Sequence, residues 1–286
     1  MRIVHMISKA KTIVNSHVCL PKAILRGFEV FDEHRKKKRL YYYDFTNSTI
    51  KDGSAKTFNT IEGYYSKKTE EQLSSKAESG IGLAIAKIKA RQIKNINAFK
   101  LNLNSRKSIM QYFIYQLLRD DSMAKRFMKE VPILANKSER DIKEYLINLE
   151  ADTDFLDDLF NDVGMQFVFN ETTTPFITAA STSTCMANSE KHYIIELTLT
   201  PKIAVLLTNA ESLKNTLNID NSYGAIIIRN EKWVREYNLS MLLTARKNIP
   251  HILVSSSIST IVQALEDERR KIEVGELPFS KSSTTV

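Results

Sequence analysis

Residues 69–94, TEEQLSSKAESGIGLAIAKIKARQIK, decide how the chain is read. Leu73, Ala77, Ile81, Ala84, Ile85 and Ile88 recur every three or four residues. That spacing lines one face of a helix, so a long amphipathic helix is expected from Thr69 to about Lys94. Thr69 is the expected N-cap. Glu70 and Glu71 follow it in the first turn, where acidic groups suit the positive end of the helix dipole.

Upstream of this helix the pattern is different. Pro21 to Phe28 reads as a short helix with proline in its first turn, where a missing N–H costs nothing. Leu40-Tyr41-Tyr42-Tyr43-Asp44-Phe45 reads as a strand, followed by the polar turn signal Thr46-Asn47-Ser48 and then Lys51-Asp52-Gly53. A returning strand is expected near Lys56 to Tyr65, which makes a hairpin. Downstream, helices are expected over Ser105 to Glu130, where Pro132 ends the pattern, over Ser138 to Leu149, and over Asp154 to Val163. Ser138 and Asp141 have capping-box spacing.

After Thr172 the apolar runs shorten and strands take over, at Phe176 to Ala180, Tyr193 to Leu199, Ile203 to Leu207, Tyr223 to Ile228 and Ile252 to Val254. Helices are expected among them at Ala210 to Leu217, Glu231 to Lys247 and Ser259 to Ile272. The sum is an α+β fold with an N-terminal β-hairpin, a central helical block and a C-terminal mixed sheet with helices. Two divisions fit. One has a basic hairpin-plus-helix part over 1–171 and a mixed α/β part over 172–286. The other is a single domain over 1–277 with a frayed Ser/Thr-rich tail.

Composition narrows the function classes. The chain has 286 residues, of which 43% are hydrophobic and 26% charged, a globular balance. Eight Gly and six Pro favour long helices over a turn-rich all-β sandwich. Two cysteines, Cys19 and Cys185, exclude a disulfide framework and a four-thiolate zinc site. No apolar run reaches membrane-span length, and His5, Lys9 and Lys11 interrupt any signal-peptide core. A cytoplasmic chain with no membrane partner is expected. P-loop, HExxH and GxSxG signatures are all missing from the sequence.

Charge is uneven. The net +8 is concentrated in residues 1–107, which carry +13, whereas residues 130–171 carry −8. A basic lobe suits a polyanion, because each neutralised phosphate releases condensed counterions. The densest run, His34-Arg35-Lys36-Lys37-Lys38-Arg39, stands just before the tyrosine-rich strand. Arg35, Lys36, Lys37, Lys38 and Arg39 are candidate backbone contacts for nucleic acid, and Tyr42 a candidate stacking ring. A solvated loop leading into a half-buried strand explains the same run. The acidic middle, with Asp154, Asp157, Asp158 and Asp162, reads as a solvated helix face, as a cation site, or as a surface that docks on the basic lobe or on a second copy.

Three side-chain pairings and one single histidine are candidates to carry chemistry. Glu71 and Glu78 stand seven apart, two turns on one helix face and roughly 10 Å along its axis, as ligands for magnesium or manganese or as plain solvated acids. Gln116 and Arg119, one turn apart on an apolar helix, are either a structural network or a clamp for phosphate or carboxylate. His17 is a candidate general acid or base. Arg246 and His251 have a spacing known in helical ribonucleases, but Pro250 stands between them, and a helix end entering a strand fits better.

The order of these segments resembles the bacterial domain-of-unknown-function family four-two-three-eight. Pro21-Lys22-Ala23-Ile24-Leu25-Arg26-Gly27-Phe28 is similar to its opening His-x-x-Pro-x-x-x-Leu-x-x-Phe stretch. Ile61-Glu62-Gly63-Tyr64-Tyr65 with Glu71 and Glu78, then Gln116-Leu117-Leu118-Arg119, resemble its middle. Phe176-Ile177-Thr178, Glu196-Leu197-Thr198-Leu199-Thr200-Pro201 and Asn238 resemble its later segments. Two departures stand out. His17 precedes Pro21 by four residues where the family has three, and Val18 takes the expected place. Ala180 stands where the family has an aspartate. The resemblance implies a protein of bacteria and their mobile elements, an accessory or effector in a defence or toxin setting. The expected function is therefore a nucleic-acid-directed, nuclease-like effector, with His17, Glu71, Glu78, Gln116 and Arg119 as its site. The alternative is a non-enzymatic module that binds nucleic acid, a protein partner or a second copy.

Overall fold

The computed structural model describes residues 15–17, 20–58, 60–90, 99, 101–153, 163–180, 185–189, 192–209, 223–247 and 251–277. The chain is α+β, built on two five-stranded sheets and one short strand pair. Its strands are β1 (Asn15–His17), β2 (Val30–Asp32), β3 (Lys37–Asp44), β4 (Thr49–Gly53), β5 (Thr60–Glu62), β6 (Val163–Asn170), β7 (Thr178–Ala179), β8 (Cys185–Ser189), β9 (His192–Thr200), β10 (Ile203–Asn209), β11 (Tyr223–Ile228) and β12 (Ile252–Ser255). Its helices are α1 (Lys22–Phe28), α2 (Lys67–Gln72), α3 (Ser79–Ala90), α4 (Leu103–Leu118), α5 (Asp121–Glu130), α6 (Glu139–Thr153), α7 (Glu231–Lys247) and α8 (Ile258–Glu273).

One sheet runs β11-β6-β10-β9-β8 and is mixed, with β11 parallel to β6 and the other pairs antiparallel. The other runs β2-β3-β12-β7, with β4 also on β3, and is antiparallel throughout. Strand β12 thus hydrogen-bonds to β3, joining the C-terminal segment to the N-terminal hairpin. Alternate residues feed two cores, as the period-2 geometry of a strand requires. Leu40 and Tyr42 of β3, Phe167 of β6 and Val205 of β10 pack with α1, α3 and α4. Tyr43 of β3, Val168 of β6 and Ala204 of β10 pack with α7 and α8. A third, mainly helical cluster joins Leu73 and Ala77 to Ile114, Leu118, Ile142 and Ile147, with Tyr65 from the loop before α2.

The hairpin closes earlier than the sequence suggests. The strand that returns on β3 is β4, not residues 56–65. Asp44 Oδ1 accepts from the N–H groups of Thr46 and Asn47 at 3.0 and 3.3 Å, and Ser48 takes a φ of 49°. That side-chain-capped turn reverses the chain within residues 45–48. Thr60–Glu62 then pairs with β1 instead.

Helix ends also differ from expectation. Ser66, not Thr69, is the N-cap of α2, and its Oγ accepts from the Thr69 N–H at 3.3 Å. The helix expected over Ser105 to Glu130 breaks after Leu118, because Arg119 ends α4 and the Asp120 carbonyl begins α5 by accepting from the Ala124 N–H. The Ser138–Asp141 capping box forms as expected, with the Asp141 N–H on Ser138 Oγ at 3.1 Å. The strand expected over Phe176 to Ala180 is confined to Thr178–Ala179. Val163 opens β6, not a helix end. The acidic stripe at residues 154–162, the helix expected over 210–217, the last turn expected to reach Lys94 and the tail from Pro278 lie outside the described residues.

Candidate functional site

The long helix of residues 67–90 is not α-helical throughout. Residues Leu73–Glu78 form a π-helical turn between α2 and α3. The Ser79 N–H reaches back to the Ser74 carbonyl, five residues away. This leaves the Ser75 carbonyl without the Ser79 amide, and the Ser79 hydroxyl fills the gap at 3.0 Å. Ser75 Oγ likewise bonds the Glu71 carbonyl at 2.7 Å. Serine hydroxyls that compete for helix carbonyls thus hold the wide turn open.

The π-turn decides which acid faces inward. Seven α-helical residues would bring Glu71 and Glu78 to one side, but a π-turn takes about 4.4 residues instead of 3.6 and delays the phase by about one residue. Glu70 therefore shares the face of Glu78. Glu71 is exposed, 3.7 Å from Lys67. This corrects the expected Glu71/Glu78 pairing.

Arg119 comes to this face from the α4–α5 corner. The approach of α3 and α4 is close, since a Cβ on Gly80 would stand 2.8 Å from Ser108 Oγ. Arg119 Nη2 lies 2.8 Å from Glu78 Oε1, with the arginine side chain 3% exposed and the glutamate 24%. Burial opposes the arginine's charge, yet Glu78, Tyr65 and Glu70 around it hold its pKa above the ordinary value. Gln116, one turn before it on α4, is buried as well.

Around this pair lie groups that spacing alone did not identify. Burial pushes the Glu70 carboxyl above its ordinary value, and the charges of Glu78 and Glu144 add to the rise. The Ser16 hydroxyl and the Arg119 cation oppose it. Ser16 is fully buried on β1 and accepts from the Tyr65 N–H at 3.1 Å. Burial also raises the Tyr112 phenol, which feels both Arg119 and Glu78. The Glu-Glu pair at residues 70–71 was the one available hint of Glu70. His17 lies next to Ser16 on β1, its backbone paired with Thr60, and its side chain lies outside the described residues. The structure thus brings Arg119, Glu78 and Gln116 into one neighbourhood, adds Glu70, Ser16 and Tyr112, and leaves Glu71 outside.

The expected magnesium or manganese ligands do not fit such an ion. Glu78 is taken by a guanidinium and Glu71 by an ammonium. Among the described residues no group of three His, Cys, Asp or Glu side chains is placed to hold a metal.

The basic run sits on the β2–β3 hairpin. Asp32 Oδ1 accepts from the His34 and Arg35 N–H groups at 3.0 and 3.1 Å, and Lys36 takes a φ of 51° to complete the turn. Asp52 of β4 is shared by Arg35, at 2.6 Å, and by Arg39. Lys36 pairs loosely with Glu33 at 3.3 Å. Lys37 and Lys38 open β3, are exposed, and make no ion pair among the described residues. Tyr42 is not an open stacking platform. It meets Phe58 edge-on at 5.0 Å and packs against the core.

The later segments are structural. Asn238 of α7 accepts from the Ile177 N–H and donates to the Pro175 carbonyl, each at 3.0 Å, so it pins the chain entering β7. Ala180, at the position of the family's aspartate, is 1% exposed inside the first core. Arg246 and His251 do meet, with His251 Nδ1 2.9 Å from the Arg246 carbonyl, but the Arg246 guanidinium is held by the buried Glu268.

Comparison with protein-family models, with curated proteins and with solved structures finds no match. The resemblance described above therefore stands on the quoted residues alone. Among the described residues, no helix is long and apolar enough to cross a membrane.

Proposed function

We propose that this chain is a nucleic-acid-directed protein of a bacterium or mobile element, acting in the cytoplasm, that binds a phosphate backbone through the β2–β3 hairpin. The observation that carries this reading is the pair of exposed ammonium groups of Lys37 and Lys38 at the start of β3, which make no ion pair among the described residues. Lys36 adds a third, loosely paired cation at the turn. Binding without cleavage is the form the geometry favours, because Arg119 is buried against Glu78 and Glu71 stands apart from both.

The test is an anisotropy titration with double-stranded DNA and with single-stranded RNA over a range of salt. A Lys37→Ala/Lys38→Ala variant is expected to weaken binding to all sequences alike and to lower the salt slope by about 2, one per lost phosphate contact. Wild-type protein that binds neither polymer at low salt, while a protein partner or a second copy associates with it, would show the hairpin to be a protein interface.

A second reading, a nuclease-like effector in a defence or toxin setting, is favoured by one feature. The half-buried acid Glu70 lies within the field of Arg119 and bonds Ser16, the neighbour of His17. A half-buried carboxyl with a raised pKa is suited to general acid or base work. Incubation with DNA and RNA in magnesium or manganese decides it. Product formation that is lost in Arg119→Lys and Glu70→Gln variants establishes the enzyme, and no product in either metal removes it.

A further inference from the structure

A separate feature lies between the first turns of α7 and the last turns of α8. There Glu231, Lys232, Arg235, Glu236, Leu239, Asp267, Arg270 and Lys271 line an open hollow of about 320 Å³. That volume is at the lower end of the range of small-ligand sites. We infer that this hollow is a binding site for a phosphate-bearing ligand.

The hollow uses its acceptors and its donors unequally. Its three acids are engaged. Asp267 takes both Nε, at 2.9 Å, and a terminal nitrogen of Arg235. Glu236 Oε2 takes Lys271 Nζ at 2.7 Å. Glu231 Oε1 is turned away to the loop before β7, where it accepts from the Thr173 N–H and hydroxyl at 2.8 Å each. Its other oxygen is sealed from solvent and has no hydrogen-bond partner among the described residues, so it does not face the hollow. The cations are not all engaged. Lys232 and Arg270 are exposed and make no ion pair or side-chain hydrogen bond among the described residues.

Beside the second oxygen of Glu236, what remains facing the hollow is a set of donors from two helices. Lys232 contributes three, Arg270 five, and Arg235 its unpaired terminal N–H groups. Buried Leu239 gives an apolar floor. An oxyanion with several oxygens can be shared among such donors, and the planar arginine fork matches phosphate geometry. The Arg235–Asp267 bidentate pair fixes one donor in place before a ligand arrives, which lowers the ordering cost of binding.

The phosphate can belong to a free nucleotide or to a nucleic-acid backbone, and the experiment separates the two. Isothermal titrations use pyrophosphate, adenosine monophosphate and a ten-nucleotide single strand in turn, against wild type and against Lys232→Ala/Arg270→Ala. Both replaced side chains are exposed and unpaired, so folding should be unaffected. The single tryptophan, Trp233, sits beside Lys232 and stacks on Tyr237 at 5.6 Å, so its emission reports both intact packing and occupancy. Binding of the small phosphates that weakens tenfold or more in the double variant assigns the hollow to a free phosphorylated ligand. Binding of the oligonucleotide alone, weakened to the same extent in this variant and retained in the hairpin variant Lys37→Ala/Lys38→Ala, assigns it to a backbone phosphate. Failure of all three probes to bind, or binding that the double variant leaves unchanged, overturns the inference. The hairpin reading stands or falls separately, on its own variant.

Discussion

Arg119 and Glu78 are joined at 2.8 Å across 41 residues of sequence, one at the corner that ends α4 and the other at the last position of a π-helical turn. Arg119 keeps a helical position, its N–H on the Tyr115 carbonyl at 3.2 Å. The irregularity lies on the partner helix, since an uninterrupted α-helix over residues 67–90 would turn Glu70 away from Glu78. The helical block is locked where the end of α4 meets the π-turn, and the same meeting gathers Glu70, Ser16 and Tyr112.

Removing one partner of this pair should be costly. In Glu78→Ala the guanidinium stays buried without its main counter-charge, and the loss expected is about 3–5 kcal/mol. Replacing both partners, as Arg119→Met/Glu78→Leu, should recover much of that loss because no charge is left in the interior. Urea unfolding of the two single variants and the double variant gives the coupling directly. Additive losses would mean that the pair contributes nothing as a pair.

Glu70 predicts a pH dependence. Its carboxyl is raised above the ordinary 4.5, first by burial, so the folded chain keeps the proton to a higher pH than the unfolded chain does. Between the unfolded and folded values, folding takes up a proton, and stability contributed by this site falls as pH rises from about 4.5. Glu70→Gln removes that fall. The difference in urea midpoint between variant and wild type should therefore move in the variant's favour as pH increases from 4.5 toward neutrality. A difference that stays constant over that range would place Glu70 in water.

Much of the fold was legible in the sequence, and the exceptions have local physical causes. The tyrosine-rich run Leu40–Phe45 reads as a strand and is one, although its packing on two cores does not show in the sequence, and the Ser138–Asp141 capping box formed as written. The hairpin's return was misplaced because one side chain, Asp44, closes the chain within residues 45–48 by binding two backbone amides. The inward acid was misplaced by one residue because hydroxyls of Ser75 and Ser79 support a π-turn that hydrophobic spacing does not reveal. The charge run was visible, but its partial neutralisation was not. Asp52 stands 17 residues beyond Arg35 and meets it only through strand pairing.

That neutralisation gives a prediction of opposite sign to a charge deletion. Asp52 carries Arg35 and Arg39 together, so Asp52→Asn frees the half-buried Arg39 guanidinium and leaves Arg35 only its longer contact with Asp32 at 3.9 Å. Nucleic-acid affinity should rise several-fold and the salt slope should steepen by about 1–2. The stability change should stay near the 0.2–1 kcal/mol typical of exposed pairs. Anisotropy titrations at two salt concentrations measure the first effect and thermal unfolding the second. Unchanged affinity with an unchanged slope would remove the hairpin from the phosphate contacts.

The π-turn itself can be tested by shortening it. A π-turn within a helix behaves as one residue inserted into an α-helix, with the flanking turns already in register. Ser74 is exposed within the turn, and its carbonyl receives the Ser79 N–H. Deleting Ser74 should let residues 67–90 close as a continuous α-helix while Glu70 and Glu78 keep their common face, now at α-helical spacing. The Arg119–Glu78 pair should survive, and the thermal midpoint should fall by no more than a few degrees. A control deletion of Lys87, an exposed residue in regular α3, has no slack to absorb it. That deletion rotates all that follows by about 100° and should displace Ile88 from the core. Equal losses from the two deletions would mean that the wide turn is held by its surroundings and not by an extra residue.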